Sequence, residues 1–299
     1  MLKPLFKWTG GKNRMKNKYG YNFWPETDFK IFVDAFYGGG AVTHWVADKY
    51  PNVEFVINDQ NTELVNLYKN LRDEPDWFCG SVAELEVNYL KIDAEDKVAR
   101  KAEYNRVKME YIGAKKMHPT TEAAMLYFLM KTSFNGWWKV YNYSNGRYST
   151  PPGTVHHTKP FIDYELLMET SKFFCDRVLQ INNFDFQRHA EFADSDTYYY
   201  FDPPYRDSTT VYTDDGFDDT DQIRLCDFMQ YCDMHGAAVS MSNKDVGDGF
   251  WEHQLGNMEI LEYDVKYTAG RGTTVNEVKE VLIRNFKPGW SLEMELDKV

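Results

Sequence analysis

The sequence predicts an α/β protein built on an open, doubly wound, mostly parallel sheet of about seven strands, with a mostly helical insert carrying a β-hairpin. Three observations predict this. Near the start, two short apolar runs ending in acids flank a helical stretch. After residue 178 five more apolar runs recur, with helical patterns between several of them. Between these blocks, from about residue 62 to 155, strand periodicity stops. Strands alternating with helices favour parallel pairing through right-handed crossovers.

Residues 30–36 and 53–59 are the first two strands, and 41–50 is the helix between them, a β-α-β unit. Residues 63–111 and 121–131 read as helical, being rich in Lys, Glu, Ala and Leu. Residues 137–148 read as a hairpin turning at Asn145-Gly146. The later strands are 178–184, 197–201, 236–242, 258–267 and 279–286, with a helix at 221–235. A Gly/Thr-rich stretch at 269–276 separates the last two, which suits an antiparallel pair at the sheet edge. The domain boundaries expected from this are a catalytic core of residues 1–61 and 156–299, and an insert of residues 62–155.

Composition narrows the function classes. The aromatic share of 16% is high; most of these rings read as core filling, and some are expected to stack on flat ligands such as bases or a cofactor ring. Cys79, Cys175, Cys226 and Cys232 form no Cys-x-x-Cys pair and no Cys/His cluster, so they read as reduced thiols, with no metal site expected. No apolar run resembles a signal peptide or a membrane span, and the expectation is a cytoplasmic protein. The net charge of −12 opposes nucleic-acid binding if spread evenly. It is not spread evenly. Lys3, Lys7, Lys12, Arg14, Lys16 and Lys18 crowd the start, Arg100, Lys101, Arg106, Lys108, Lys115 and Lys116 recur in the middle, and acids gather at 214–221. Charge alone leaves a DNA-binding face and two solvated surfaces equally open.

Three motifs carry chemistry. Tyr200-Phe201-Asp202-Pro203-Pro204-Tyr205 ends an apolar strand. Two prolines stop the ladder and stiffen the turn, and ligands bind at the carboxyl ends of strands in open α/β sheets. There Asp202 and the Pro203 carbonyl can accept the two hydrogens of a planar amine while Tyr205 stacks on its ring; an exposed strand-to-loop turn is the plainer alternative. Phe36-Tyr37-Gly38-Gly39-Gly40-Ala41 follows the first strand, where glycines admit a close ligand and a helix N-terminus follows. It lacks the Gly-x-Gly-x-x-Gly of dinucleotide folds and the Gly-Lys-Ser/Thr of a P-loop. Asp59, closing the second strand, suits the ribose hydroxyls of an adenosine-containing cofactor. Phe6-Lys7-Trp8-Thr9-Gly10-Gly11-Lys12 brings Lys12 to a ligand carboxylate and Trp8 to an apolar face, or is simply a basic arm.

Taken in order, with Phe134-Asn135-Gly136 and the hairpin, these motifs resemble the DNA adenine methylase (Dam) family over residues 5 to 286. Ser242-Asn243-Lys244-Asp245 and Glu280–Phe286 match its later strands. The resemblance implies a Rossmann-like methyltransferase sheet and S-adenosylmethionine as methyl donor, with no metal. It implies action on double-stranded DNA, with the target adenine flipped out for in-line transfer to N6; a monomer is expected because nothing in the sequence suggests an obligate dimer. It assigns Trp8, Gly11, Lys12, Asp34, Phe36, Gly38, Gly40, Asp59 and Asp202 to the cofactor. Asp202, Pro203, Pro204 and Tyr205 go to the flipped base, and Asn135, Lys139, Tyr141, Asn145 and Arg147 to DNA. The chain departs from the family at Ala35, where Pro is common, and at Lys139, where a base-reading Arg stands in the best-known members, so their GATC target does not carry over. Lysine lacks the planar fork of arginine. Competing readings are a cytosine-N4 or RNA-adenine methyltransferase, a catalytically idle DNA-binding protein, and, disfavoured by glycine spacing, a nicotinamide-dependent oxidoreductase.

Overall fold

The computed structural model describes residues 2–8, 10–113, 117–136, 140–143, 146–153, 158–206, 216–268 and 275–289, and of residues 135, 140–143, 146–149, 266–268 and 275–277 the backbone alone. Its strands are β1 Ile31–Asp34, β2 Glu54–Asn58, β3 Val140–Tyr143, β4 Gly146–Ser149, β5 Val178–Asn182, β6 Thr197–Phe201, β7 Ala238–Asp245, β8 Glu259–Thr268 and β9 Val275–Arg284. The helices are α1 Lys16–Tyr19, α2 Ala41–Lys49, α3 Thr62–Asp73, α4 Pro75–Leu90, α5 Lys97–Gly113, α6 Pro119–Thr132, α7 Tyr164–Arg177, α8 Asp219–Met234 and α9 Phe250–Leu255.

Seven strands form one sheet in the order β5-β2-β1-β6-β7-β9-β8. β1 pairs in parallel with β2 and β6, and β6 in parallel with β7. β9 runs antiparallel to both β7 and β8. The fold is the Rossmann-like, mostly parallel sheet with an antiparallel pair toward one edge that the sequence predicts. The stretch read as helical over 63–111 is three helices, since Pro75 starts a new helix at its first position and Ile92–Asp96 breaks the next. In the hairpin Tyr143 pairs with Gly146, so Gly146 is a strand residue rather than the turn residue expected.

The chain forms two compact units. One comprises Met1–Gly11, Gly38–His44 and Thr62–Ile181, the other Lys12–Tyr37, Trp45–Asn61 and Asn182–Val299.

In the second unit the central strand β6 is buried along its whole length. Strands covered on both faces are apolar throughout; here the run is Thr-Tyr-Tyr-Tyr-Phe, and each phenol needs a partner. Tyr198 donates to the Phe23 carbonyl at 2.8 Å and meets Ser240 at 2.7 Å. Tyr199, on the opposite face, donates to the His189 carbonyl at 2.6 Å. Tyr200 bonds Ser242. Phe228, Met229 and Cys232 of α8 cover the Tyr199/Phe201 face, and α8 itself starts in a capping box of Asp218 and Asp221.

In the first unit α6 is buried on nearly every side, from Thr120 through Ala123–Met130 to Thr132. The buried Glu86 of α4 accepts from the Phe161 and Ile162 N–H groups at 2.7 and 2.9 Å and from the Tyr164 hydroxyl at 2.9 Å, anchoring the entry to α7. At the base of the hairpin Phe134 N–H donates to the Pro151 carbonyl and Gly153 N–H to that of Thr132, at 2.9 and 2.8 Å. A Cβ on Gly153 would lie 2.9 Å from the Ser133 carbonyl oxygen, so the chain passes there only as glycine. No helix among the described residues is long and apolar enough to cross a membrane.

Candidate active site

The parallel strands of the second unit end together, and acids stand at three of those ends. Asp34 is the last residue of β1, Asp59 follows β2 and Asp202 follows β6. Asn58, just before Asp59, locks the connections: its amide donates to the Ala35 and Phe184 carbonyls at 2.9 and 3.1 Å and its oxygen accepts from Phe184 N–H at 2.9 Å. Tyr37 N–H donates to the Asn58 carbonyl at 2.8 Å, and the Asp59 carboxylate accepts from Asn61 N–H at 2.8 Å. Burial, with the Asp34 charge adding to it, pushes the Tyr37 phenol well up, so it stays neutral. Phe36 lies among Phe186, Phe201 and Phe217, with ring centres 5.8, 6.4 and 5.8 Å away.

Asp202 is the centre of the cluster. Lys12 Nζ donates to its Oδ1 at 2.6 Å, with the lysine side chain 4% and the aspartate 21% exposed. The same ammonium lies 4.7 Å from the centre of the Tyr205 ring, within cation–π range. Ser242 Oγ, within β7, donates to Asp202 Oδ1 at 3.5 Å. Burial pushes the Asp202 carboxyl up to about 6; the Lys12 charge and hydrogen bond pull it down without cancelling that effect. At neutral pH the group is therefore mostly a carboxylate, and an acceptor.

The segment after Asp202 is held by side chains. Pro203 is buried, and the Pro204 carbonyl accepts from Gln222 Nε2 of α8 at 2.8 Å. Gln222 in turn accepts from Asn243 Nδ2 at 3.1 Å, and Asn243 Oδ1 accepts from Arg206 N–H at 3.1 Å. Sequence reasoning missed this support. Its only trace was the polar run Ser242-Asn243-Lys244-Asp245 that ends β7, noted in the sequence as a family match with no role attached.

In the first unit, the glycine loop is occupied by the protein itself. Trp8 lies against Gly38 and Gly39, where an added Cβ would stand 2.6 Å from Trp8 Nε1 and 2.9 Å from Trp8 Cβ. Gly38 and Gly40 have φ of +49° and +75°, the left-handed region that favours glycine. The Tyr68 hydroxyl donates to the Gly38 carbonyl at 2.6 Å. Gly11 N–H donates to the Trp8 carbonyl at 3.1 Å.

The basic residues divide differently from the sequence reading. Lys12 is consumed by Asp202. Arg100 is buried, stacks over Tyr89 at 4.3 Å and donates to the Ile92 carbonyl at 3.0 and 2.6 Å. Arg106 pairs with Glu103 and Glu110 at 2.8 and 2.7 Å. Among the candidate DNA contacts, Lys139 and Asn145 lie outside the described residues, and Asn135, Tyr141 and Arg147 are described by backbone alone. Among the described residues no group of three or more His, Cys, Asp or Glu is placed to hold a metal ion.

The sequence model of the D12 class N6 adenine-specific DNA methyltransferases matches residues 8–268. The chain belongs to this family. The match takes in Trp8, Lys12, the glycine loop, Asp59, Asp202–Tyr205 and Ser242 together. Among relatives of this D12-class methyltransferase, the type II methyltransferase M.MjaIII of Methanocaldococcus jannaschii is 32% identical over 256 residues, 81% of this chain and 84% of that protein. The type II methyltransferase M1.LlaDCHI of Lactococcus lactis subsp. cremoris is 28% identical over 300 residues, 95% and 96% of the two chains. The DNA adenine methylase of Haemophilus influenzae is 26% identical over 208 residues, 68% and 64%. The D12-class chain is accordingly an enzyme, an adenine-specific DNA methyltransferase.

Proposed function

We propose that this enzyme moves a methyl group from S-adenosylmethionine to N6 of an adenine flipped out of double-stranded DNA. The observation that carries the reading is the Lys12–Asp202–Tyr205 cluster, a carboxylate and an aromatic ring on a proline-stiffened segment at the end of β6. Adenine N6 offers two hydrogens in the plane of its ring. Asp202 accepts one, the Pro203 carbonyl accepts the other, and Tyr205 stacks on the base. These bonds draw the nitrogen lone pair out of the ring and offset the positive charge that grows on the nitrogen. The target atom is inaccessible inside a duplex, so the base leaves the stack.

The donor set suits the cofactor: Asp34 and Asp59 close adjacent parallel strands, where carboxylates meet the hydroxyl and amino donors of an adenosine-containing molecule. When bound, S-adenosylmethionine would supply an electrophilic methyl on a cationic sulfur, the sulfur–methyl bond breaking as the N6–methyl bond forms, so that S-adenosylhomocysteine is left and one N6 proton is lost to solvent. Asp34, Phe36, Asp59, Lys12 and Asp202 would hold it from the second unit; Trp8, Gly11, Gly38 and Gly40 are assigned to it on the family resemblance. Residues 1–61 and 156–299 are read as the catalytic domain, and 62–155 as the target-recognition insert, with Asn135, Lys139, Tyr141, Asn145 and Arg147 toward DNA. The enzyme is read as a cytoplasmic monomer.

The test is incubation with S-adenosylmethionine and DNA of known sequence, then nucleoside analysis and mapping. N6-methyladenine in one sequence context is expected; N4-methylcytosine, or no modified base, refutes the reading. Asp202→Ala is expected to lower turnover by about 10²–10³-fold or more while duplex affinity changes little.

A further inference from the structure

Arg206 follows directly on Tyr205. Beside the site of an enzyme that acts on DNA, an arginine would ordinarily be assigned to a phosphate. Its guanidinium is otherwise engaged. Nε and Nη2 donate to Asp219 at 2.8 and 2.9 Å, and Nη1 donates to the two oxygens of Asp248 at 3.0 and 2.9 Å. The guanidinium carbon lies 3.9 Å from the centre of the Phe250 ring, and the side chain is only 9% exposed. One cation between two carboxylates leaves the group with net negative charge, which repels phosphate.

What this grip holds is the backbone around Tyr205. Pro203 and Pro204 have no N–H, so ladder bonds cannot fix this stretch. Instead the Gln222–Asn243 pair takes the Pro204 carbonyl on one side of Tyr205 and the Arg206 N–H on the other. The Arg206 side chain then ties that point to the first residue of α8 and to the loop before α9.

We propose that Arg206 is a positioning residue of the methyl-transfer site, clamped by Asp219, Asp248 and Phe250 so that the Pro204–Tyr205 backbone holds the Tyr205 ring against Lys12, and that it makes no phosphate contact. This rests on the function proposed above. The clamp acts on the geometry in which the base is presented, so its loss appears in turnover more than in cofactor affinity.

The test compares wild type with Arg206→Gln, Arg206→Lys, Asp248→Asn and the Arg206→Gln/Asp248→Asn double variant. The readouts are kcat, KM for S-adenosylmethionine and duplex Kd against salt concentration. Arg206→Gln is expected to lower kcat about tenfold or more, with KM for the cofactor within about threefold. Arg206→Lys should restore little, because an ammonium cannot fork to two carboxylates at once. Asp248→Asn should lower kcat in the same direction, and the double variant should be no worse than Arg206→Gln, as for two members of one clamp. The slope of log Kd against log salt should match wild type. A slope reduced by about 0.9, as for one lost phosphate contact, overturns the proposal. So does a kcat within twofold of wild type, or tighter DNA binding by Asp248→Asn without loss of kcat. Asp248 is half exposed, so its variant decides the matter if Arg206→Gln fails to fold. A wild-type enzyme that methylates no adenine overturns both readings; an active wild type with an unaffected clamp variant overturns this one alone.

Discussion

Asp202 carries two opposed demands. In the proposed role of acceptor for an amine it must be ionised, yet the burial that excludes water from it favours the protonated form and pushes it up to about 6. The signs differ for stability and activity. The native value lies above the ordinary 3.8, so the stability that Asp202 contributes is full below about pH 4 and is lost as pH rises through about 6. On the proposed mechanism activity follows the carboxylate and rises over the same window. The pH profile of kcat is therefore expected to have an acid limb near pH 6, falling about tenfold per pH unit below it. Lys12 opposes the rise, so Lys12→Met should move that limb above pH 6. A limb that stays in place in the variant shows that Lys12 does not tune Asp202. The sequence showed both residues as candidates, but 190 positions separate them, and no spacing argument pairs residues so distant.

At the scale of elements, the supports of the site are polar groups buried at strand and helix ends. Asn58 spends both ends of its amide on connecting segments, and Asn243 and Gln222, bonded to each other, each give their other end to the segment after β6, which fixes loops that regular ladders cannot reach. Glu86 does the same in the helical unit. Glu86→Ala leaves three donors at residues 161, 162 and 164 without their acceptor and is expected to cost about 2–4 kcal/mol. Glu86→Gln, which keeps one oxygen, should cost less. Urea denaturation of both variants checks this; equal midpoints for wild type and Glu86→Ala would remove the anchoring role. All seven sheet strands were legible from apolar runs bounded by acids and glycines. The breaks between α3, α4 and α5 were not, because helical composition continues through them and only Pro75 marks one.

On the scale of the molecule, an acidic chain of net charge −12 must meet DNA through a local basic surface. That surface is smaller than a count of Lys and Arg suggests, since Lys12, Arg100, Arg106 and Arg206 are all spent on internal partners. Cofactor binding is the simplest property to read on the whole chain. Ligand at about a hundredfold excess over Kd stabilises the folded state by about 2.7 kcal/mol. For a chain of this size that corresponds to a rise in Tm of roughly 4 °C. A thermal melt with saturating S-adenosylmethionine measures it, and an unchanged Tm would count against cofactor binding.

By itself the sequence determined the fold class, the order of the strands along the chain and the family, because those follow from local periodicity and from short motifs whose residues are neighbours in the chain. It also marked Asp202-Pro203-Pro204-Tyr205 as the candidate place for the chemistry. Tertiary structure alone decided which partners those residues have. Lys12 sits on Asp202, Trp8 lies on the glycine loop read from the sequence as a close approach for a ligand, and Arg206 turns to two carboxylates instead of outward. The physical reason is one of range: periodicity and turn chemistry act between residues a few positions apart. A buried charge or amide, by contrast, is satisfied by whichever group the packed fold brings within about 3 Å, at any separation along the chain.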